Sequence, residues 1–374
     1  MMAAQRGWRA GLVLAAALVL VACAADKPKP AALTDVKPAI AGRQVWSAQI
    51  GAVGFPMQVT ARNGLFVAAA DDGAVVAWDA ASGREAWRGQ VAAKLSAGVG
   101  SDGRHAAVVT RNQDLVVLDG GSERWRARLD AAVVTPPLVA GERVFVMGVD
   151  RVVQAFDVLD GRRLWSLKRP GDPLQLAQPG LLSAWKDTLL VGQGARLLGV
   201  DPTRGTVRWE QSVSTPRGTN EVERLADLVG PPARLGDTVC VRAFQNAVGC
   251  VDLQRPALQW SQLGGGQNAV GGDADLVVGA DASDRIVARH RRDGGLAWTS
   301  ELLLNRQLSA PAVAGPAVVV GDLEGQVHFL SKADGQPLLR LPTDGARVVS
   351  QPVLSGTTLL VVTAKGGVYA FRPE

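Results

Sequence analysis

Cysteine and histidine are the residue types in this 374-residue chain that could hold a metal or form a covalent bond, and there are three of each. His105, His290 and His328 lie far apart, and none has a second His or Cys at ligand spacing. We therefore expect no metal site. Cys240 and Cys250 flank a three-residue turn that would place them opposite each other on antiparallel strands. Two alternatives stay open for this pair, a cross-strand disulfide in an oxidising compartment or two small buried thiols.

The N-terminal sequence predicts that Cys23 is acylated. Two arginines precede an apolar run over residues 12–22, which is too short to span a bilayer comfortably and is typical of a signal peptide. The run ends in Leu-Val-Ala-Cys, which resembles the lipobox of bacterial lipoproteins, in which the Cys becomes the acylated first residue. Ala24 follows where Asp would signal retention in the inner membrane, so an outer-membrane destination is expected. The alternative is an ordinary signal peptide that ends near a Cys.

A repeated pattern, A-x-D-x-x-x-G-x-x-x-W, organises the rest of the chain. It is intact at residues 77–87 and 155–165, and degenerate copies recur every 38 to 51 residues. Each copy predicts a hairpin formed by the second and third strands of a blade. The third strand ends at an Asp that caps the next turn, and a Gly in that turn adopts a backbone conformation closed to other residues. We expect the Trp, on the fourth strand, to pack between neighbouring units. A period of this length made of short strands is typical of a β-propeller.

The number of third strands predicts the number of blades. Eight such strands end at Asp79, Asp119, Asp157, Asp201, Asp252, His290, Ser331 and Arg372. The last unit has no fourth strand of its own, whereas residues 43–47 resemble a fourth strand without a partner. The sequence therefore predicts an all-β, eight-bladed propeller of four-stranded blades that an N-terminal strand closes. The predicted division is a signal peptide at 1–22, a lipidated flexible tether at 23–41 and the propeller at 42–374.

The amino-acid composition agrees with this fold and argues against nucleic acid as a partner. Hydrophobic residues make up 47% of the chain, which has 43 Gly and one Tyr. The sequence pI is near 9.4, but no Lys/Arg cluster forms the basic stripe of a nucleic-acid-binding surface. We expect no nucleic acid among the partners.

The repeat resembles that of pyrroloquinoline quinone (PQQ) dehydrogenases, which are longer eight-bladed propellers with a pair of adjacent cysteines, a calcium site and a catalytic Asp. This chain has neither adjacent cysteines nor a C-x-x-C-H haem motif, and most of its Asp residues occupy the repeated turn position. We therefore expect no cofactor and no enzymatic activity. A quinoprotein-like dehydrogenase and a propeller that binds a periplasmic ligand in its central channel are the alternatives.

Two unusually long connections predict a binding surface. The spacing between third strands rises to 44 residues before Asp201 and to 51 before Asp252. In both units the excess follows the fourth-strand Trp, within residues 166–177 and 211–229, so both loops should emerge on one face of the ring. Long loops on adjacent blades favour a binding surface over scattered tolerated insertions.

Together with the lipobox and the eight repeats, these loops resemble the BamB family of outer-membrane β-barrel assembly (BAM) lipoproteins, over residues 23–374. In that family an L-x-L-R run and an acidic D-x-D pair face a periplasmic POTRA domain of BamA. Leu174, Gln175 and Leu176 match the first run, but Ala177 replaces its Arg. Asp227 matches the first acid, whereas Val229 replaces the second, and Arg224 is a substitute cation.

The resemblance implies a periplasmic scaffold on the outer membrane, anchored through acyl chains on Cys23. It implies BamA as partner, with Leu174 and Leu176 as apolar anchors and with Arg224 and Asp227 as rim charges. Whether the ring also touches unfolded outer-membrane proteins stays open.

Overall fold

The computed structural model describes residues 28–169, 178–216 and 225–374. Over these ranges it forms 32 strands in eight four-stranded antiparallel sheets, which confirms the predicted eight-bladed propeller. In the same ranges, no helix is both long enough and apolar enough to cross a bilayer.

Strand β1, Gly42–Gln49, precedes the first complete blade; blades 1 to 7 take four consecutive strands each, and blade 8 takes the last three. Blades 1 to 4 contain β2 Thr60–Arg62, β3 Leu65–Ala69, β4 Ala74–Asp79, β5 Glu85–Gln90; β6 Leu95–Ser101, β7 His105–Thr110, β8 Asp114–Asp119, β9 Ser122–Arg128; β10 Leu138–Ala140, β11 Arg143–Met147, β12 Val153–Asp157, β13 Arg163–Leu167; β14 Leu182–Trp185, β15 Thr188–Gln193, β16 Arg196–Val200, β17 Val207–Ser212. Blades 5 to 8 contain β18 Leu228–Leu235, β19 Thr238–Ala243, β20 Ala247–Asp252, β21 Ala257–Leu263; β22 Gly271–Gly272, β23 Leu276–Ala280, β24 Ile286–His290, β25 Leu296–Ser300; β26 Ala312–Ala314, β27 Ala317–Gly321, β28 Gln326–Ser331, β29 Pro337–Pro342; β30 Val353–Ser355, β31 Thr358–Val362, β32 Gly367–Pro373.

The ring closes as the sequence predicts. Strand β1 pairs antiparallel with β32, from Gly42 opposite Pro373 to Gln49 opposite Gly367, so it supplies the fourth strand of blade 8. Pairing the first strand with the last covers an edge that would otherwise invite association with other chains.

The alternating strand directions define two faces. Connections from a fourth strand to the next inner strand share one face with the turns between second and third strands, and we name this the loop face. The remaining turns, between first and second and between third and fourth strands, lie on the opposite face, which we name the turn face. The connections within residues 168–181 and 213–227 therefore both belong to the loop face.

The repeated Asp caps the turn that follows the third strand. In blade 1 the Asp79 carboxylate accepts hydrogen bonds from the Ser82 amide at 2.7 Å and the Ser82 hydroxyl at 2.6 Å. In blade 4 Asp201 accepts from the amide of Thr203 at 2.8 Å. This confirms a structural role for the carboxylate, because each turn amide finds its acceptor within the turn.

The repeated Trp joins neighbouring blades, as predicted. The indole N–H of five such residues donates to a backbone carbonyl in the next blade, and the pairs are Trp46 with Ala80 at 3.2 Å, Trp125 with Val158 at 2.8 Å, Trp165 with Pro202 at 2.9 Å, Trp260 with Arg291 at 2.7 Å and Trp298 with Lys332 at 2.8 Å. The ring covers the repeat Gly of that next blade. A Cβ at Gly205 would lie 2.6 Å from the Trp165 ring, and its φ of +71° strains any other residue.

The structure joins Cys240 and Cys250 by a disulfide across β19 and β20. The two residues are directly opposite each other, with Cα atoms 4.0 Å apart and both side chains fully buried. Burial in a core cluster with Trp260 shields the bond from solvent.

We expect a form of the protein that begins at Ala24 to contain no free thiol. After unfolding without reductant, an alkylating reagent should add nothing to the intact mass, whereas two groups should add after reduction. The Cys240→Ser variant should add one group in both conditions. Two groups added to the unreduced parent protein would show that the buried pair stays reduced.

Residues 29–40 differ from the unattached tether that the sequence predicts. They form no strand, but the amides of Ala31 and Ala39 donate to the carbonyls of Leu304 at 2.9 Å and Leu338 at 2.8 Å. The physical reason lies in two apolar side chains, Leu33 and Ile40, which pack on the buried clusters of blades 6 to 8.

Candidate functional site

A cleft of about 520 Å³ lies on the loop face, where the two long connections leave blades 3 and 4. Arg169, next to the first connection, and Pro216, next to the second, both line it. The two connections therefore begin beside each other, which confirms that they share a face. The described residues that line the cleft are Arg151, Arg169, Gln193, Gly194, Ala195, Arg196, Glu210, Ser212, Ser214, Thr215 and Pro216.

Glu210 organises the charges of this cleft. Its carboxylate accepts a hydrogen bond from Arg169 at 2.7 Å and a second from Arg196. These guanidinium groups, Arg196 first, hold the pKa of Glu210 below its ordinary value. Because Glu210 is ionised at neutral pH and faces two cations, the cleft presents a net positive edge beside both loops.

Asp227 lies at the C-terminal end of the second connection and pairs with Arg151 of blade 3. The Arg151 Nη2 is 3.1 Å from the Asp227 Oδ1, and the two side chains are only 18% and 14% exposed. Gln193 donates to the Arg151 carbonyl at 2.9 Å, so the turn that presents Arg151 is itself held. The sequence leads us to expect Asp227 as a rim charge, but the structure withdraws most of its carboxylate from solvent. The pair ties the end of the second connection to blade 3.

Val229, which stands at the second acidic position of the resembled motif, belongs to β18 and is buried. It pairs with Arg242 on β19 and bridges to Gly180 of blade 4. The Gly230 amide also donates to the Pro179 carbonyl at 3.2 Å. A carboxylate at position 229 would lose its hydration in this junction, so the apolar residue suits its surroundings.

The other predicted site residues fall outside the described residues, namely Cys23, Leu174, Gln175, Leu176 and Arg224. Conversely, no sequence pattern distinguishes Arg151, Arg169, Arg196 or Glu210. Their signal is positional, because Arg196 begins β16, Glu210 lies near the end of β17, and Arg169 follows β13. Charged residues at strand ends are common, so only the geometry distinguishes this group.

The family is decided by comparison with known proteins. The chain matches the profile of the family "Outer membrane protein assembly factor BamB" over residues 31–96, 71–300 and 286–374. The chain belongs to the BamB family.

A BamB relative agrees with this assignment in sequence, and a solved BamB structure shares the fold. The outer membrane protein assembly factor BamB of Bordetella pertussis is 36% identical over 380 residues, which cover 98% of this chain and 97% of that relative. The crystal structure of BamB from Moraxella catarrhalis superposes with a TM-score of 0.80 at 23% identity, covering 88% of this chain and 99% of the other.

A quinohemoprotein alcohol dehydrogenase from Comamonas testosteroni also superposes, with a TM-score of 0.66 at 14% identity, covering 88% of this chain and 76% of the enzyme. At that identity the likeness shows a shared fold alone. In the described part of the chain, no group of three or more His, Cys, Asp or Glu side chains is placed to hold a metal ion.

The central channel, of about 1020 Å³, does not gather its charges into one site. Among the described lining residues the cations are Arg62, Arg234 and Arg347. Arg62 and Arg234 lie at the turn-face ends of inner strands β2 and β18, whereas Arg347 precedes β30 on the loop face. Cations at opposite mouths cannot close on one small anion. The cleft of this BamB-family protein is therefore the stronger candidate site.

Proposed function

We propose that this protein is a non-enzymatic scaffold lipoprotein of the outer-membrane β-barrel assembly machinery. It sits at the periplasmic face of the outer membrane, anchored through acyl chains on Cys23, and docks on a POTRA domain of BamA. Family membership supports the assembly role, since the matched relatives are named outer membrane protein assembly factors. The observation that supports docking is that the described starts of two long connections from adjacent blades, at Arg169 and Pro216, line one charged cleft.

In this proposal Leu174, Gln175 and Leu176 supply the contact, with Leu174 and Leu176 as its apolar anchors, and Arg224 supplies a rim cation. Apolar anchors of this kind dominate the energy of many protein interfaces, and surrounding charges set orientation and association rate. Asp227 acts mainly by positioning, because its pairing with Arg151 fixes where the second connection ends. The net positive edge formed by Arg169, Arg196 and Glu210 favours an acidic strip on the partner.

Rigid support suits a scaffold. Blades 3 and 4, on either side of the cleft, are joined by the hydrogen bond from Trp165 to Pro202, and the Gly230–Pro179 hydrogen bond holds blade 5 to the connection between them. A partner that binds here therefore meets a surface whose base is fixed before binding, which lowers the entropy cost of association.

We expect the double variant Leu174→Ala/Leu176→Ala to bind the isolated periplasmic region of BamA at least about tenfold more weakly, because it lacks both apolar anchors. Calorimetric titration measures the affinity, and thermal unfolding should stay close to that of the parent protein.

Leu159→Ala is the matched control for this variant. Leu159 is 53% exposed in the turn between β12 and β13, on the turn face. Its truncation should leave the BamA affinity unchanged. If the double variant binds within about threefold of the parent protein, a change below 1 kcal/mol, the docking surface lies elsewhere. Asp227→Lys is a poorer probe, since it would place a second cation against Arg151 and lower stability as well.

A further inference from the structure

Residues 29–40, which we name the strap, run along blade 7 from the loop face to the turn face. At the loop face, Ala31 exchanges hydrogen bonds with the connection between β25 and β26: its amide donates to Leu304 at 2.9 Å and its carbonyl accepts from Arg306 at 2.8 Å. Towards the turn face, Ala39 donates to Leu338 on β29 at 2.8 Å. The strap then continues into β1, whose first residues lie on the turn face.

The buried guanidinium group of Arg306 anchors the strap. Its side chain is only 3% exposed, and its Nε donates to the buried Asp322 carboxylate at 2.8 Å. Its Nη2 donates to the Glu324 carboxylate, and its Nη1 donates to the Ala31 carbonyl. If the strap left, a buried guanidinium N–H would lose its acceptor, which is costly in a site that excludes water.

Apolar packing holds the same segment at two further points. Leu33 lies against the cluster that contains Trp298, Leu303 and Leu308, and Ile40 lies against the cluster between blades 7 and 8. Hydrogen bonds at Ala31 and Ala39, with apolar contacts at Leu33 and Ile40, make residues 29–40 part of the ring.

The docked strap shortens the reach of any membrane anchor. A flexible tether over residues 23–41 could extend to roughly 60 Å, whereas the six residues from Cys23 to Lys29 reach at most about 20 Å. The strap also fixes where that reach begins, because the backbone carbonyl of Lys29 accepts a hydrogen bond from the side-chain amide of Asn305 on the loop face.

We propose that the strap turns the loop-face rim of blade 7 towards the phospholipid surface and holds it within about 20 Å of the headgroups. Leu302, which is 45% exposed in the same connection as Leu304 and Arg306, marks this rim. The two long loops emerge on this same face, from blades 3 and 4. The proposal rests on the proposed function for its lipid-anchored Cys23.

The test uses the full acylated protein in vesicles of phosphatidylethanolamine and phosphatidylglycerol that carry an acceptor dye on their headgroups. A donor dye is attached through Leu302→Cys on the loop face or through Leu159→Cys on the turn face, two exposed leucines of similar exposure. We expect the energy-transfer efficiency at position 302 to be at least about twice that at position 159. Equal efficiencies at the two positions would overturn the proposal.

Two further measurements separate the strap from the anchor. Flotation of the vesicles shows first whether the protein is membrane-bound. Failure to float would contradict both the lipid anchor and this proposal. A protein that floats but shows equal efficiencies at the two positions would contradict the strap proposal alone. Twelve Gly/Ser residues inserted between Pro28 and Lys29 leave the strap intact and should lower the efficiency at position 302 about twofold. An unchanged efficiency would contradict a short reach.

Hydrogen exchange of a soluble form that begins at Ala24 tests docking without any membrane. The amides of Ala31 and Ala39 should exchange at least about tenfold more slowly than in the Leu33→Asp variant, which removes the central apolar contact. Exchange at the unprotected rate in the parent protein would show that the strap does not stay docked in solution.

Discussion

Replacing Trp165 by Ala is expected to lower the free energy of unfolding by roughly 3–5 kcal/mol, as large-to-small changes at packed aromatic positions do. The ring lies on Gly205 of the next blade and its centroid is 5.9 Å from that of Phe145. Its N–H donates to the Pro202 carbonyl at 2.9 Å. Truncation therefore opens a cavity between blades 3 and 4 and leaves a carbonyl without its donor. Urea unfolding of a soluble form measures the loss.

A Phe substitution separates the ring from its hydrogen bond, and Trp87 supplies the matched comparison. Trp87 occupies the same repeat position in blade 1, but its buried Nε1 has no acceptor within the described residues. In the next blade only Gly120 and Gly121 lie between the third and fourth strands. Trp165→Phe should cost about 1 kcal/mol more than Trp87→Phe, which is the worth of one hydrogen bond.

The two Ala variants decide whether the packing itself matters. A loss below about 1 kcal/mol in both Trp87→Ala and Trp165→Ala would mean that these rings do not hold neighbouring blades together. Equal costs for the two Phe variants would leave the packing in place but remove any net contribution from the hydrogen bond.

The architecture was predictable because its determinants are local and repeated. The Asp, Gly and Trp of one unit are separated by few residues, and each has a role that one turn explains, as Asp79 with Ser82 shows. Ring closure was also predictable, because β1 and β32 are the two pieces of a single incomplete unit.

The charge pairs were not predictable, since they join residues that are distant in sequence and carry no shared pattern. Arg151 and Asp227 are 76 residues apart, and Arg169 and Glu210 are 41 apart. Each pair depends on the angle between blades, which the repeat does not encode. The strap was predicted as a flexible tether because its polar, Pro-containing composition is typical of one. Leu33 and Ile40 instead pack on the core clusters and hold it against the ring.

The buried cluster beneath the strap gives the second large effect. Asp322 is fully buried and accepts from Arg306 at 2.8 Å, from His328 at 2.9 Å and from the amide of Gln326 at 2.9 Å. Asp322→Asn keeps the shape but removes the charge, and it leaves a buried guanidinium facing an amide. Breaking a buried pair in this way typically costs 3–5 kcal/mol, so we expect roughly that loss in urea unfolding.

Glu324→Gln is the control, because it alters the other carboxylate bonded to Arg306. The Glu324 side chain is 57% exposed, so solvent screens its charge and the change should cost less than about 1 kcal/mol. Similar losses in the two variants would show that the buried position of Asp322 gives its charge no special weight.

Acid should destabilise the parent protein through this cluster in two stages. Burial lowers the pKa of His328 below its ordinary 6.5, so the unfolded chain takes up that proton first and stability falls as the pH drops below about 6.5. Burial also opposes ionisation of Asp322, but hydrogen bonds from His328, the Gln326 amide and Arg306 outweigh it and lower the pKa to about 2. Because that folded pKa lies below the ordinary 3.8, the carboxylate's contribution is complete above pH 3.8 and is lost as the pH falls towards 2.

The Asp322→Asn variant isolates the second stage, since it has no carboxylate to titrate. Its deficit relative to the parent protein should grow as the pH falls from about 6.5 to 4, because the Asp322 carboxylate partly offsets the burial that lowers the pKa of His328, and the variant lacks that support. The deficit should then shrink by roughly 2 kcal/mol between pH 4 and 2, the energy of a shift of nearly two units. Urea unfolding at a series of pH values measures the deficit. A deficit that does not shrink between pH 4 and 2 would mean that the folded state does not hold Asp322 ionised more strongly than the unfolded chain does.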